Sequence, residues 1–118
     1  MRDILEVVQD LCLNDHVSLC EAEKTYGNSW KKRGGVGAFM MLARKWDRIE
    51  NLTKKYDYDI FHTIEEHPEE TGVIDDIRDL RRYLLLVEAE MVQIGDISPD
   101  YIYVREKPDA TTIVPAEK

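Results

Sequence analysis

The chain has 118 residues, enough for one modest core, and carries a formal net charge of −8. That balance excludes a general DNA or RNA binder, which needs a basic surface to displace counterions. Hydrophobic residues make up 43 % and charged residues 34 %, so the chain should fold, with a core that is thin or shared between copies. No window approaches the ~18 apolar residues of a membrane span. The first residues, MRDILEVVQDLC, carry acids within their apolar run, unlike a signal peptide. The expected location is the cytoplasm, a host's cytoplasm if the chain is phage-encoded. Cys12 and Cys20 lack metal-like spacing and read as reduced, buried small side chains.

In chain order, Ile4, Val7, Val8 and Leu11 recur at helical spacing, and Asp3 is a candidate N-cap. Residues 17–25 hold Val17, Leu19 and Cys20; they continue this helix after a break at Asn14-Asp15 or form a short one. His16 then lies at a helix end. From Val36 to about Lys55, Phe39, Leu42, Trp46 and Ile49 mark one wide apolar stripe. The segment YDYDIFHTIEEHPEETG reads as a connection with at most a helical turn, punctuated by Pro68 and Gly72. From Ile74 to about Ile94, the stripe Ile77, Leu80, Leu84, Val87 and Met91 predicts a second long helix closed by Gly95. Residues 96–118 read as a tail, with YIYV at 101–104 as a short strand or cover and 107–118 disordered. The expected architecture is all-α: one domain over 1–95, with two long antiparallel helices, one or two shorter ones, and a core completed by homo-oligomerisation.

Two features carry chemistry. Asp47 and Glu50 are three residues apart on one helix, and Asp76 and Asp79 repeat that spacing on the other. On a helical wheel Glu50 and Asp76 fall near the edges of the apolar stripes, while Arg78, Arg81 and Arg82 point away. Four converging carboxylates would suit Mg²⁺, a hard ion that takes oxygen ligands, waters and substrate phosphates. The bland alternative is ordinary ion pairing, Asp47 with Arg44 or toward Lys54 and Asp79 with Arg78 or Arg82.

The second feature is KTYGNSWKKRGGVGAF, residues 24–39. Lys31, Lys32 and Arg33 are a basic island in an acidic chain. Gly34, Gly35 and Gly37 precede a helix N-terminus, where free N–H groups and the helix dipole attract phosphate. Tyr26 and Trp30 are candidates to stack on a base, and Asn28 or Ser29 to hydrogen-bond it. The alternative is a helix-to-helix loop with Gly27 as a C-cap and Trp30 as a core plug. This is no Walker loop, because the GxxxxGK[ST] spacing is absent. From the helix start to Asp47 and Glu50 is roughly 17–21 Å, too far for one mononucleotide to touch both. A neighbouring subunit, or a loop folded back along the helix, would be needed to join them.

The string YGNSWKKRGGVGAFMMLARKWDRIENL followed by DDIRDLRRYLLL resembles the nucleotide modification associated domain family. These are small all-α proteins of bacteria and bacteriophages, encoded near nucleotide-metabolism and base-modification genes. The resemblance runs over roughly residues 18–92. A more distant similarity is to MazG-like all-α NTP pyrophosphohydrolases, whose ExxE and ExxD pairs hold Mg²⁺ in a bundle formed by dimerisation. Here the pattern is Asp47-x-x-Glu50 and Asp76-x-x-Asp79, with the shorter Asp at the first and third positions. The resemblance implies a nucleotide as ligand and Mg²⁺ as cofactor. It implies hydrolysis of a phosphoanhydride by Asp47, Glu50, Asp76 and Asp79, with Lys31, Lys32 or Arg33 offsetting developing charge. The rival expectations are a non-catalytic protein that sequesters a signalling or modified nucleotide, and a protein-interaction module.

Overall fold

Asp15 is 1 % exposed, and three hydrogen bonds surround its carboxylate. Arg81 Nε donates to Oδ2 at 2.6 Å, Arg81 Nη2 to Oδ1 at 2.7 Å, and Arg82 Nε to Oδ1 at 2.7 Å. The computed structural model that contains this arrangement describes residues 2–66 and 72–98. Its described residues form four α-helices: α1 (Ile4–Tyr26), α2 (Gly34–Lys54), α3 (Ile60–Glu66) and α4 (Gly72–Gly95), with a 3₁₀ turn at Ser29–Lys31. No strand occurs among the described residues, and none of these helices is long and apolar enough to cross a membrane. The expected strand YIYV and the rest of the tail beyond residue 98 lie outside the described residues.

The fold class is the all-α one expected; several local expectations are not met. α1 runs without interruption through Asn14-Asp15, and His16 is mid-helix. Asp weakens helices by offering its side chain to nearby backbone groups. Here the carboxylate is engaged by two arginines, so that competition is removed. Arg81 and Arg82, expected to point away from the apolar stripe, instead lie part-buried against α1, bonded to Asp15. Asp3 occupies the N-cap position of α1 without a side-chain cap bond. Cys12 and Cys20 are exposed, not buried, and Cys20 Sγ lies 3.6 Å from His16 Nε2.

Helix ends are set by local chemistry. Gly27 closes α1 with φ 59°, its N–H bonding the Glu23 carbonyl at 3.0 Å. Past the ends of α2 and α4 the left-handed position is taken by aspartate. Asp57 (φ 58°) bonds the Lys54 carbonyl while Tyr58 bonds that of Thr53; Asp96 (φ 49°) and Ile97 do the same with Gln93 and Val92. Both are Schellman-type ends, and Asp tolerates the left-handed region better than most residues. Gly95 therefore stands one residue before the left-handed position. Asp59 starts α3, its Oδ1 accepting the His62 N–H at 3.1 Å.

The contacts divide the chain within α4, into Met1–Leu84 and Leu85–Lys118. Among the described residues of the first unit the buried apolar ones are Ala38 and Ile49 on α2 and Val73 on α4. Thr53 is buried with them, its hydroxyl donating to the Ile49 and Glu50 carbonyls. Half-buried apolar side chains such as Met41, Leu42, Leu52 and Leu80 add to this small core, and ion pairs link α4 to α1 and to α2. In the second unit Met91 and Ile94 of the expected α4 stripe are exposed.

Hydrogen bonds from Arg81, reinforced by Arg82 against the opposing effect of burial, lower the Asp15 pKa from 3.8 to about 2. A depressed carboxylate pKa stabilises the folded state above the unfolded value, and this contribution disappears as pH falls through the folded value. The contribution of Asp15, about 2 kcal/mol, is therefore complete above ~pH 5 and lost between about pH 4 and pH 2. Asp15→Ala strands two part-buried guanidinium groups and should cost about 3–5 kcal/mol. Urea unfolding followed by circular dichroism from pH 7 to pH 2 should show the wild-type loss and a flatter profile for the variant.

Candidate functional site

The carboxylates of the two acidic pairs lie in different places. Asp76 is 2 % exposed in the joint between α2 and α4, where Arg48 Nε donates to its Oδ1 at 2.9 Å. Lys45 Nζ stands 3.8 Å from the same oxygen and donates to Asp79 Oδ2 at 3.1 Å. Arg78 Nε lies 3.7 Å from the other Asp79 oxygen, and Arg78 also pairs with Asp75 at 3.2 Å. Asp76 Oδ2 is buried and has no hydrogen-bond partner among the described residues.

Asp47 and Glu50, by contrast, are exposed. At roughly 100° per residue, Asp47 projects about 160° and Glu50 about 140° away from Lys45, which points at α4. The four acids therefore do not converge within one chain. Among the described residues no group of three or more His, Cys, Asp or Glu side chains is placed to hold a metal ion. The partners that Asp76 and Asp79 do have, Lys45 and Arg48, come from between and beside the expected ligands of α2. Their placement was legible in principle. Lys45 and Arg48 are three residues apart, as are Asp76 and Asp79, which is the spacing of a cross-helix charge ladder.

The glycine-rich stretch sits at the other end of α2. Tyr26 ends α1 and is exposed; Asn28 and Ser29 are exposed; Trp30 and Lys31 are half-buried in the 3₁₀ turn. Lys31 Nζ lies 6.0 Å from the Trp30 ring centre, a cation–π distance. Lys32 and Arg33 are exposed, and neither enters an ion pair among the described residues. Gly34 opens α2 at φ 74°, a conformation costly for any residue with a Cβ. Gly37 has a different reason: a Cβ there would come within 2.7 Å of Arg33 Cβ, so the glycine lets the Arg33 side chain lie along the first turn.

Electrostatically, the α2 N-terminus thus pairs a positive dipole end with two uncommitted cations, in a chain of net charge −8. Such an end is electrostatically suited to an anion. Asp47, thirteen residues past Gly34, is roughly 20 Å further along the same helix. The structure leaves the two parts of the sequence-predicted site apart, as the spacing anticipates.

The ion pair at Asp15 was missed by sequence reading. Its signal is an acid on the face of α1 that also carries Ile4 and Leu11, a position where a charge must be matched from another element. Comparison with family models, curated proteins and solved structures returns no match for this chain.

Because Asp76 is buried with one strong donor, Arg48→Met should leave its charge poorly compensated and cost about 1–3 kcal/mol. The paired replacement Arg48→Met with Asp76→Leu should recover most of that loss. Chemical denaturation of the four members of this cycle measures the coupling directly.

Proposed function

We propose that this chain binds a nucleotide or nucleotide-derived phosphate through residues 26–33 and the N-terminus of α2, acting as a homo-oligomer. The observation that carries the reading is the pair of exposed cations, Lys32 and Arg33, at the start of a 21-residue helix in an acidic protein. Phosphate oxygens would be met by these side chains and by the free N–H groups of the first helical turn. Trp30 and exposed Tyr26 supply aromatic surface for a base, and Asn28 and Ser29 supply donors and acceptors for its edge or the ribose. The resemblance to the nucleotide modification associated domain family agrees with a nucleotide ligand.

A second reading is the Mg²⁺-dependent nucleotide pyrophosphohydrolase suggested by the more distant likeness. The buried, unpartnered Oδ2 of Asp76 is the observation in its favour, since such an oxygen is costly without a donor or cation. Against it, the donor set does not fit one ion within a single chain, because Asp47 and Glu50 face away from Asp76 and Asp79. Ion pairing with Lys45 and Arg48 also occupies the acids of α4. Binding without hydrolysis is therefore the better-supported form, with sequestration of a signalling or modified nucleotide as its biological expression.

The test is a thermal-shift and calorimetric titration with canonical and modified nucleoside mono-, di- and triphosphates, with and without Mg²⁺. A nucleotide should raise the melting temperature and be recovered unchanged. The Lys32→Ala/Arg33→Ala double variant should lose about tenfold or more in affinity, or about 1.4 kcal/mol or more. Release of phosphate or pyrophosphate that requires Mg²⁺ and disappears in Asp76→Asn would favour the hydrolase instead. Absence of binding across the whole panel would remove both readings.

A further inference from the structure

α2 has two apolar faces. The inner one carries Ala38 and Ile49, buried against the rest of the first unit. The outer one carries Val36, Phe39, Met40 and Trp46, which are 77 %, 64 %, 53 % and 56 % exposed. With Ala43 they follow the spacing i, i+3, i+4, i+7, i+10, a continuous stripe along about three turns. A run of large side chains on one exposed helix face is the pattern of a surface that another helix covers.

The charges at its two ends say what covers it. The stripe is preceded by the exposed cations Lys32 and Arg33 and followed by the exposed acids Asp47 and Glu50. Asp47 and Glu50 continue the helical spacing of the stripe itself, at i+11 and i+14 from Val36. A helix with a basic start, an apolar middle and an acidic end is complementary to itself when turned end for end. The helix dipoles favour the same orientation, N-terminus beside C-terminus. A parallel copy would instead bring cation to cation and acid to acid.

We propose that the outer face of α2 pairs with the same face of a second copy, antiparallel and about a two-fold axis passing between Met40 and Ala43. Met40 of one chain then lies across from Ala43 of the other, a large side chain against a small one. Arg33 of one chain lies across from Glu50 of the other, and Lys32 is within reach of the same acidic end. The two-fold makes the contact isologous, so both ends are matched at once. The dimer would bring the basic turn and the Asp47–Glu50 pair, roughly 20 Å apart along one helix, to a common edge. This last consequence rests on the nucleotide reading above; the pairing itself does not.

Sedimentation velocity over a concentration series, with circular dichroism to verify folding, tests the pairing. The wild type should sediment as a dimer. Phe39→Glu should raise the dissociation constant by about a hundredfold or more. Charge reversal at one end, Lys32→Glu with Arg33→Glu, should weaken dimerisation by about tenfold or more, as should Asp47→Lys with Glu50→Lys. Mixing these two double variants should restore a dimer containing one of each. A monomeric wild type overturns the proposal, as does a dimer indifferent to Phe39→Glu. Equal dimerisation by wild type and either charge-reversed variant also overturns it. A dimer that binds no nucleotide supports the pairing and removes the nucleotide reading; a nucleotide-binding monomer does the reverse.

Discussion

A single buried carboxylate organises the first unit. Asp15 is the point where α1 meets α4, and it is met by two consecutive arginines whose side chains leave the helix about 100° apart. Both can reach one acid only if α1 lies over the gap between them, which fixes the position and azimuth of α1 together. Desolvating a carboxylate is expensive, and three charge-assisted hydrogen bonds offset that cost. An apolar contact would be slippery by comparison, since it rewards burial in any rotation that hides the same area. The geometry of guanidinium and carboxylate admits few alternatives.

The same logic joins α4 to α2, with signs reversed. Asp76 and Asp79 of α4 receive Arg48 and Lys45 of α2. α4 therefore presents acids to one neighbour and, on a different face a turn or so later, bases to the other. This arrangement discriminates: α1 and α2 cannot exchange places without bringing like charges together. It also frees the large apolar residues. Twenty of them are exposed among the described residues, while Ala38, Ile49 and Val73 are the buried hydrophobic ones. The outer stripe of α2 is the part of that exposed set that follows one helical spacing.

What could be read from the sequence follows from what periodicity measures. The recurrence of Phe39, Leu42, Trp46 and Ile49 identifies a helix because it counts residues per turn, and the helix is there. It does not say which molecule covers the stripe. Ile49 is buried within the chain while Phe39 and Trp46 are exposed, yet all contribute to the same pattern. Likewise the i, i+3 spacing of Asp47 with Glu50 and of Asp76 with Asp79 states that each pair shares a face. It cannot state that the two faces meet, and they do not. Gly27 as a helix stop was legible because its left-handed backbone is a local need. Asp57 and Asp96 in the same role were not, because aspartate has many other uses. The Asp15 pairing spans 66 residues of sequence: periodicity places the acid on the face of Ile4 and Leu11 but names no partner for it.

The basic turn gains its meaning from the length of α2. In a 21-residue helix the two ends stand about 30 Å apart, so what lies at one end cannot serve a small ligand at the other. Shortening the helix would cure the distance but destroy the stripe between. In the proposed pairing, turning a second copy end for end would cure it without altering the helix, because each end would find its complement across the axis. The exposed stripe, the distribution of charge along α2 and the separation of the candidate ligand groups would then share one cause, a helix whose outer face and two ends are completed by its own copy. The acids that Lys45 and Arg48 engage stay out of this scheme. Lys45 and Arg48 turn toward α4 and tie α2 to it, Arg48 with much of its side chain still exposed, while Lys32 and Arg33 make no ion pair among the described residues and in the proposed dimer meet the acidic end of the second copy. The division of basic residues between these two tasks follows from their azimuth on one helix and the turn before it.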